Sequence, residues 1–77
     1  MSHHELDARR ILCPLPVIRT QDAIKELAAG DVLVVTATDP GVIHDIPTWC
    51  RINGHEVTGI DRGDEEIVIT IRVGEDA

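Results

Sequence analysis

No phenylalanine and no tyrosine occur in this 77-residue chain, and Trp49 is its only tryptophan. The core must therefore be aliphatic, drawn from the 43 % of residues that are hydrophobic. No apolar run is long enough to span a bilayer, and the start Met1-Ser2-His3-His4-Glu5 lacks the makeup of a signal peptide, so a cytoplasmic protein with no membrane contact is expected. Basic residues are scarce, 7 against 14 acidic ones, for a formal charge of −7. That argues against unaided binding to nucleic acid, because affinity for phosphate backbones rests on clustered Lys and Arg. It points instead to a protein partner with a basic docking face. Two cysteines in such a chain do not make a disulfide framework.

Other absences narrow the chemistry. There is no internal repeat, low-complexity segment or linker, and at this length residues 1–77 read as one domain with an ordered core over about 5–73. A Gly-rich phosphate loop and a convincing carboxylate pair are missing, which removes the commoner enzyme classes. A metal site could be drawn from Cys13, Cys50, His44 and His55, but neither CxxC nor HxxxH spacing occurs, and no metal is expected. A Cys–His dyad would need His44 or His55 to fold back toward Cys13, and nothing in the spacing favours that over two surface histidines.

What is present reads as alternating strands and helices. Residues 5–10 form a brief strand with Leu6 and Ala8 on one face. Residues 14–29 read as a helix with Val17, Ile24, Leu27 and Ala28 on one face, Ala23 beside them, and Gly30 as its stop. Residues 31–38 are nearly all apolar or β-branched, predicting a central strand covered on much of both faces and parallel to the first. Asp39 and Pro40 suit the start of a second helix running to about Asn53, with Val42, Ile46, Trp49 and Asn53 on one face and Cys50 beside Trp49. Pro47 inside it should interrupt or kink it. A weaker strand over 55–61, a turn at Arg62-Gly63-Asp64, and the alternation Ile67, Ile69, Ile71, Val73 complete an antiparallel hairpin. The expected fold is α+β, a two-layer sandwich of order β-α-β-α-β-β, with a mixed four-stranded sheet and both helices on one face.

The chemistry concentrates in Cys13-Pro14-Leu15-Pro16. Prolines suit a first helical turn, where a missing amide hydrogen leaves no bond unmade. Cys13 is therefore expected at or just outside a helix N-terminus, where the helix dipole and free N–H groups favour negative charge. With Pro14 and Pro16 unable to donate, the amides of Leu15 and Val17 are the nearest ones open to the sulfur. Arg9 and Arg10, just upstream, would further favour a thiolate if they approach it. The competing readings are a buried cysteine acting as a small hydrophobe and two solvated surface arginines. A thioredoxin-like dithiol is excluded locally, because Pro16 stands where the second cysteine would be. Cys50 reads as a core residue.

Taken together, Leu6-Asp7, the Cys-Pro-Leu-Pro box, Thr38-Asp39-Pro40 and Asp45-Ile46-Pro47-Thr48-Trp49-Cys50 resemble the TusA (SirA-like) family of small sulfur carriers over about Leu6 to Val73. The resemblance implies that Cys13 accepts sulfane sulfur, holds it as a persulfide and passes it on, as a carrier rather than a stand-alone enzyme and without a cofactor. It implies a cysteine desulfurase or rhodanese as donor and a DsrE-like or TusD-type relay protein as acceptor, in tRNA 2-thiouridine synthesis or dissimilatory sulfur oxidation; molybdenum-cofactor synthesis is also tied to the family. The Cys-Pro-Leu-Pro and Thr-Asp-Pro-Gly forms lean toward the sulfur-oxidation branch. Arg9, Arg10, Pro14, Leu15, Pro16 and Val17 would surround the sulfur, and Arg19 and Asp39 would serve partner docking; the sequence leaves the oligomeric state open, with monomer the default. In one respect the chain departs: Arg10 stands where the family usually has glycine. The competing functions are a regulatory or RNA-interacting domain and a thiol-redox sensor using Cys13 and Cys50.

Overall fold

A computed structural model of the chain describes residues 2–12 and 14–74. In order, the elements are β1 (His3–Ala8), α1 (Leu15–Ile24), β2 (Val32–Ala37), α2 (Val42–Ile52), β3 (Glu56–Arg62) and β4 (Ile67–Arg72). The strands form one mixed sheet in the order β1-β2-β4-β3, with β1 parallel to β2 and the other pairs antiparallel. The two-layer α+β sandwich expected from the residue pattern is the fold.

Its core is the aliphatic one that the lack of Phe and Tyr requires. Leu33, Val35 and Ala37 of β2 and Ile67, Ile69 and Ile71 of β4 point one way with Val73, and meet Ile24 of α1 and Val42, Ile46 and Cys50 of α2. Burying an aliphatic side chain of this size contributes about 1.5–3 kcal/mol, so this layer holds the domain together. The other sheet face, with Val34, Thr36, Val68 and Thr70, is only half-buried. β2 is thus central, with both helices on one face, as expected, but its other face is less covered than the apolar run suggested.

Both helices differ from expectation in extent. The helix α1 stops at Ile24, not near Ala29. Beyond it Glu26 and Leu27 bond to the third residue back, Ala23 and Ile24, which tightens the chain out of α geometry. Asp31 then takes the Ala28 N–H on its carboxylate at 3.0 Å, turning the chain toward β2. Gly30, at φ 90°, serves that turn and not the helix end. The buried stripe of α1 is Pro16, Thr20 and Ile24, whereas Ala28 is exposed. Thr20 can be buried because its hydroxyl donates to the Pro16 carbonyl at 2.8 Å.

The helix α2 begins at Val42, two residues after Pro40, with Gly41 at its N-cap position. Asp39 still helps start it, from further out, by accepting the Gly41 N–H at 2.9 Å. Pro47 does not interrupt the helix, which continues to Ile52. Asn53 is exposed, not on the buried face. In the hairpin, a register shift between Val57 and Gly59 bends β3, and residues 63–66 form the turn, one step later than expected.

Candidate functional site

Three loops meet at one end of the sheet. The register pairs Ala8 with Ala37 and Ala37 with Ile67, so β1 and β2 end there and β4 begins there. Residues 9–14 leave β1, residues 38–41 leave β2, and residues 63–66 lead into β4. Functional groups concentrate on such loops because a rigid scaffold holds them while their backbone stays accessible. Cys13 belongs to the first loop by sequence, and its expected placement at the helix start lies outside the described residues.

The residues around it are described. Pro14 holds the N-cap position of α1 and Pro16 is two residues inside, so the helix begins one residue later than expected. Ile18 donates to the Pro14 carbonyl at 3.2 Å. The Leu15 N–H is not open to the sulfur, as it was expected to be, because it donates to the Leu12 carbonyl at 2.9 Å. Pro16 is buried and Val17 is half-buried against the core. By contrast Leu12 is 74 % exposed, and Leu15 and Ile18, one helical turn apart, are 45 % and 44 % exposed. The start of α1 therefore carries an apolar surface facing outward, with exposed Arg19 beside it in sequence.

The two arginines upstream behave differently. The guanidinium of Arg9 is held by Asp7 through Nε at 2.9 Å and a terminal nitrogen at 3.0 Å, and reaches Glu66 at 3.2 Å. The hydrogen bonds from Arg9 pull the Asp7 carboxyl down to about 2, and the same partners raise Arg9 further. This guanidinium links β1 to the β3–β4 turn, and its charge is already matched by two carboxylates. Arg10 is exposed, and its backbone has φ 65°, the left-handed region that favours glycine. The Arg10 N–H donates to the Thr38 hydroxyl at 2.9 Å. Thr38 and Glu66 were not legible as part of this end of the molecule, since each acts across a long sequence separation and only the strand register brings it there.

The remaining candidates lie elsewhere. His55 sits at the opposite end of the sheet, where its Nδ1 accepts the Gly74 N–H at 3.0 Å, so the topology keeps it from a dyad at the β1–α1 loop. His44 is exposed in the first turn of α2. Cys50 is 1 % exposed, and burial pushes its thiol up to about 11. It is the core residue expected. Among the described residues, no group of three or more His, Cys, Asp or Glu is gathered to hold a metal, and no helix is long and apolar enough to cross a membrane.

The small two-layer domain, with Pro14 and Pro16 at the start of its first helix, is that of a family of sulfur-handling proteins, as comparison with known proteins shows. The model of the family described as sulfurtransferase TusA matches residues 4–73, and the chain belongs to that family. It is 50 % identical over 54 residues to the sulfur carrier protein TusA of Pseudomonas entomophila, covering 70 % of this chain and 68 % of that one. Over 60 residues it is 42 % identical to the putative sulfur carrier protein YrkI of Bacillus subtilis, covering 77 % and 80 %. With the putative sulfur carrier protein YrkF of the same organism it shares 38 % identity over 69 residues, 90 % of this chain but 37 % of that longer one. The crystal structure of a SirA-like protein from Desulfitobacterium hafniense superposes with a TM-score of 0.80 at 29 % identity, covering 94 % of this chain and 99 % of that one.

Proposed function

We propose that Cys13 is the sulfur-bearing residue of a relay carrier, loaded as a persulfide and unloaded onto a cysteine of another protein. The observation that carries this reading is the Cys-Pro-Leu-Pro box lying within the stretch matched by the sulfurtransferase TusA family. In the loading step the Cys13 thiolate attacks the terminal sulfur of a donor persulfide. One S–S bond forms, the donor's S–S bond breaks, and the donor leaves as a thiolate, with no net oxidation. Unloading is the same exchange with Cys13 as the leaving group. A helix N-terminus favours the anionic persulfide by about 0.3–1 kcal/mol at an exposed site, enough to bias ionisation without trapping the sulfur.

Exchange between two proteins requires close approach. Exposed Leu12, Leu15 and Ile18 supply an apolar contact surface close in sequence to the reacting residue, with Arg19 as a polar contact following it and Asp39 shaping the loop after β2. The donor is a cysteine desulfurase or a rhodanese and the acceptor a DsrE-like or TusD-type relay protein, in the cytoplasm. The pathway is tRNA 2-thiouridine synthesis or sulfur oxidation, and the charge of −7 favours docking onto proteins over contact with RNA. Burial of Cys50 speaks against a Cys13–Cys50 redox switch. Incubation with a desulfurase and cysteine, or a rhodanese and thiosulfate, tests the reading: reductant-labile sulfur should appear on Cys13. Pairing each acceptor candidate with the loaded carrier then distinguishes the two pathways.

A further inference from the structure

We propose that Thr38 is a positioning residue for the Cys13 thiol, acting through the backbone of Arg10. The proposal rests on the reading of Cys13 as the reactive residue. Its basis is a conflict between sequence and backbone. Arg10 occupies the left-handed region, where a side chain with a Cβ is disfavoured and glycine is not. The conformation persists because neighbouring structure holds it.

The neighbouring contacts can be named. Ala8, at the end of β1, is fully buried and fixes the chain entering the loop. The Arg9 side chain is tied to Asp7 and Glu66, which fixes the next residue. The Arg10 N–H is then bonded to the Thr38 hydroxyl across 28 positions of sequence. Beyond it, Ile11 returns to pack on the core while Leu12 is thrown outward. The left-handed residue makes that reversal, and the reversal sets where the chain meets the start of α1. Thr38 is itself fixed, as it directly follows Ala37 at the fully buried end of β2. Its hydroxyl therefore ties the loop leaving β1 to the rigid centre of the sheet. The hydroxyl is needed because residue 10 is not glycine: with glycine the left-handed backbone is accessible without support. The roles of positions 10 and 38 are thus coupled, and the coupling is measurable.

The experiment uses the full chain and follows the rate at which iodoacetamide alkylates Cys13, by intact mass, across the pH range of thiol ionisation. In the otherwise unaltered chain, Thr38→Val is expected to slow alkylation at neutral pH about fivefold, the equivalent of one lost hydrogen bond, and to move the pH profile upward. Thr38→Ser, which keeps the hydroxyl, restores the rate. In an Arg10→Gly background the same Thr38→Val change should cause no further slowing. Equal slowing in both backgrounds, or none in either, overturns the proposal. Circular dichroism establishes that each variant is folded; should Thr38→Val not fold, Thr38→Ala in the same pair of backgrounds decides the question. Sulfur loading by a donor is measured separately. A chain that takes up no sulfur but shows the Arg10-dependent effect loses the carrier reading and keeps this one.

Discussion

The imidazole of His55 lies against the indole of Trp49, with ring centroids 5.3 Å apart and planes inclined by 24°. His55 is 7 % exposed, and its Nδ1 accepts the Gly74 N–H, which leaves the neutral ring's proton on Nε2. Burial pushes its pKa below the ordinary 6.5. Between that lowered value and 6.5 the unfolded chain binds the extra proton and the native chain does not. The contribution to stability is therefore complete above 6.5 and is lost as pH falls through the lowered value. Urea midpoints followed by the fluorescence of Trp49 should fall on acidification through this window, and His55→Gln should remove that part of the pH dependence. A midpoint that is as pH-dependent in His55→Gln as in the parent would contradict the assignment.

Arg10 and Arg19 make a paired test of backbone conformation. Left-handed geometry costs a residue bearing Cβ about 1–2 kcal/mol, while glycine costs about 0.5–1 kcal/mol in added unfolded-state freedom. Arg10→Gly is therefore expected to leave stability unchanged or raise it by up to about 1.5 kcal/mol. Arg19→Gly, in the middle of α1, should lower it by about 1 kcal/mol. Denaturant unfolding of the two variants checks this; an equal loss in both would mean that Arg10 carries no backbone strain.

Gly74 passes so close to Gly54 that an added Cβ would lie 1.7 Å from the Gly54 carbonyl oxygen. Gly74→Ala must push the C-terminal segment off this crossing and loosen its bond to His55. A loss of about 1–3 kcal/mol is expected, with a change in Trp49 fluorescence. Unaltered stability and fluorescence would show that the crossing is dispensable.

Cys50 should behave as core. At mildly alkaline pH, a thiol reagent is expected to modify one cysteine of the native chain, and the second only after denaturation, because burial both shields Cys50 and holds its thiol near 11. Peptide mapping identifies the modified residue. Rapid native labelling of Cys50 would contradict its placement.

The sheet and its covering layer were legible because their signals are local. The alternation through Ile67, Ile69, Ile71 and Val73 names the inward face of β4 outright, and the residues from Val32 to Ala37 name a central strand. What failed to be legible depends on single hydrogen bonds that residue periodicity does not mark, some of them local and some between positions distant in sequence. Hydrophobic periodicity carries on past Ile24 to Leu27 and so does not reveal that α1 ends at Ile24, or that Asp31 turns the chain at Ala28. Thr20 was overlooked as a buried residue because its polarity is cancelled by its own helix, at the Pro16 carbonyl. At the candidate site, the Cys-Pro-Leu-Pro box marks itself, whereas Thr38 and Glu66 are joined to the loop only by the β1-β2-β4 register. The unusual backbone at Arg10, at φ 65°, had one sequence trace, the single departure from the resemblance read in the sequence.

Intact-mass spectrometry after exposure to a sulfur donor is the most direct measurement. The parent chain should gain the mass of one sulfur atom, reversibly with reductant and mapped to Cys13, and Cys13→Ser should gain none. Sulfur uptake that persists in Cys13→Ser, or that maps to Cys50, would contradict the carrier role.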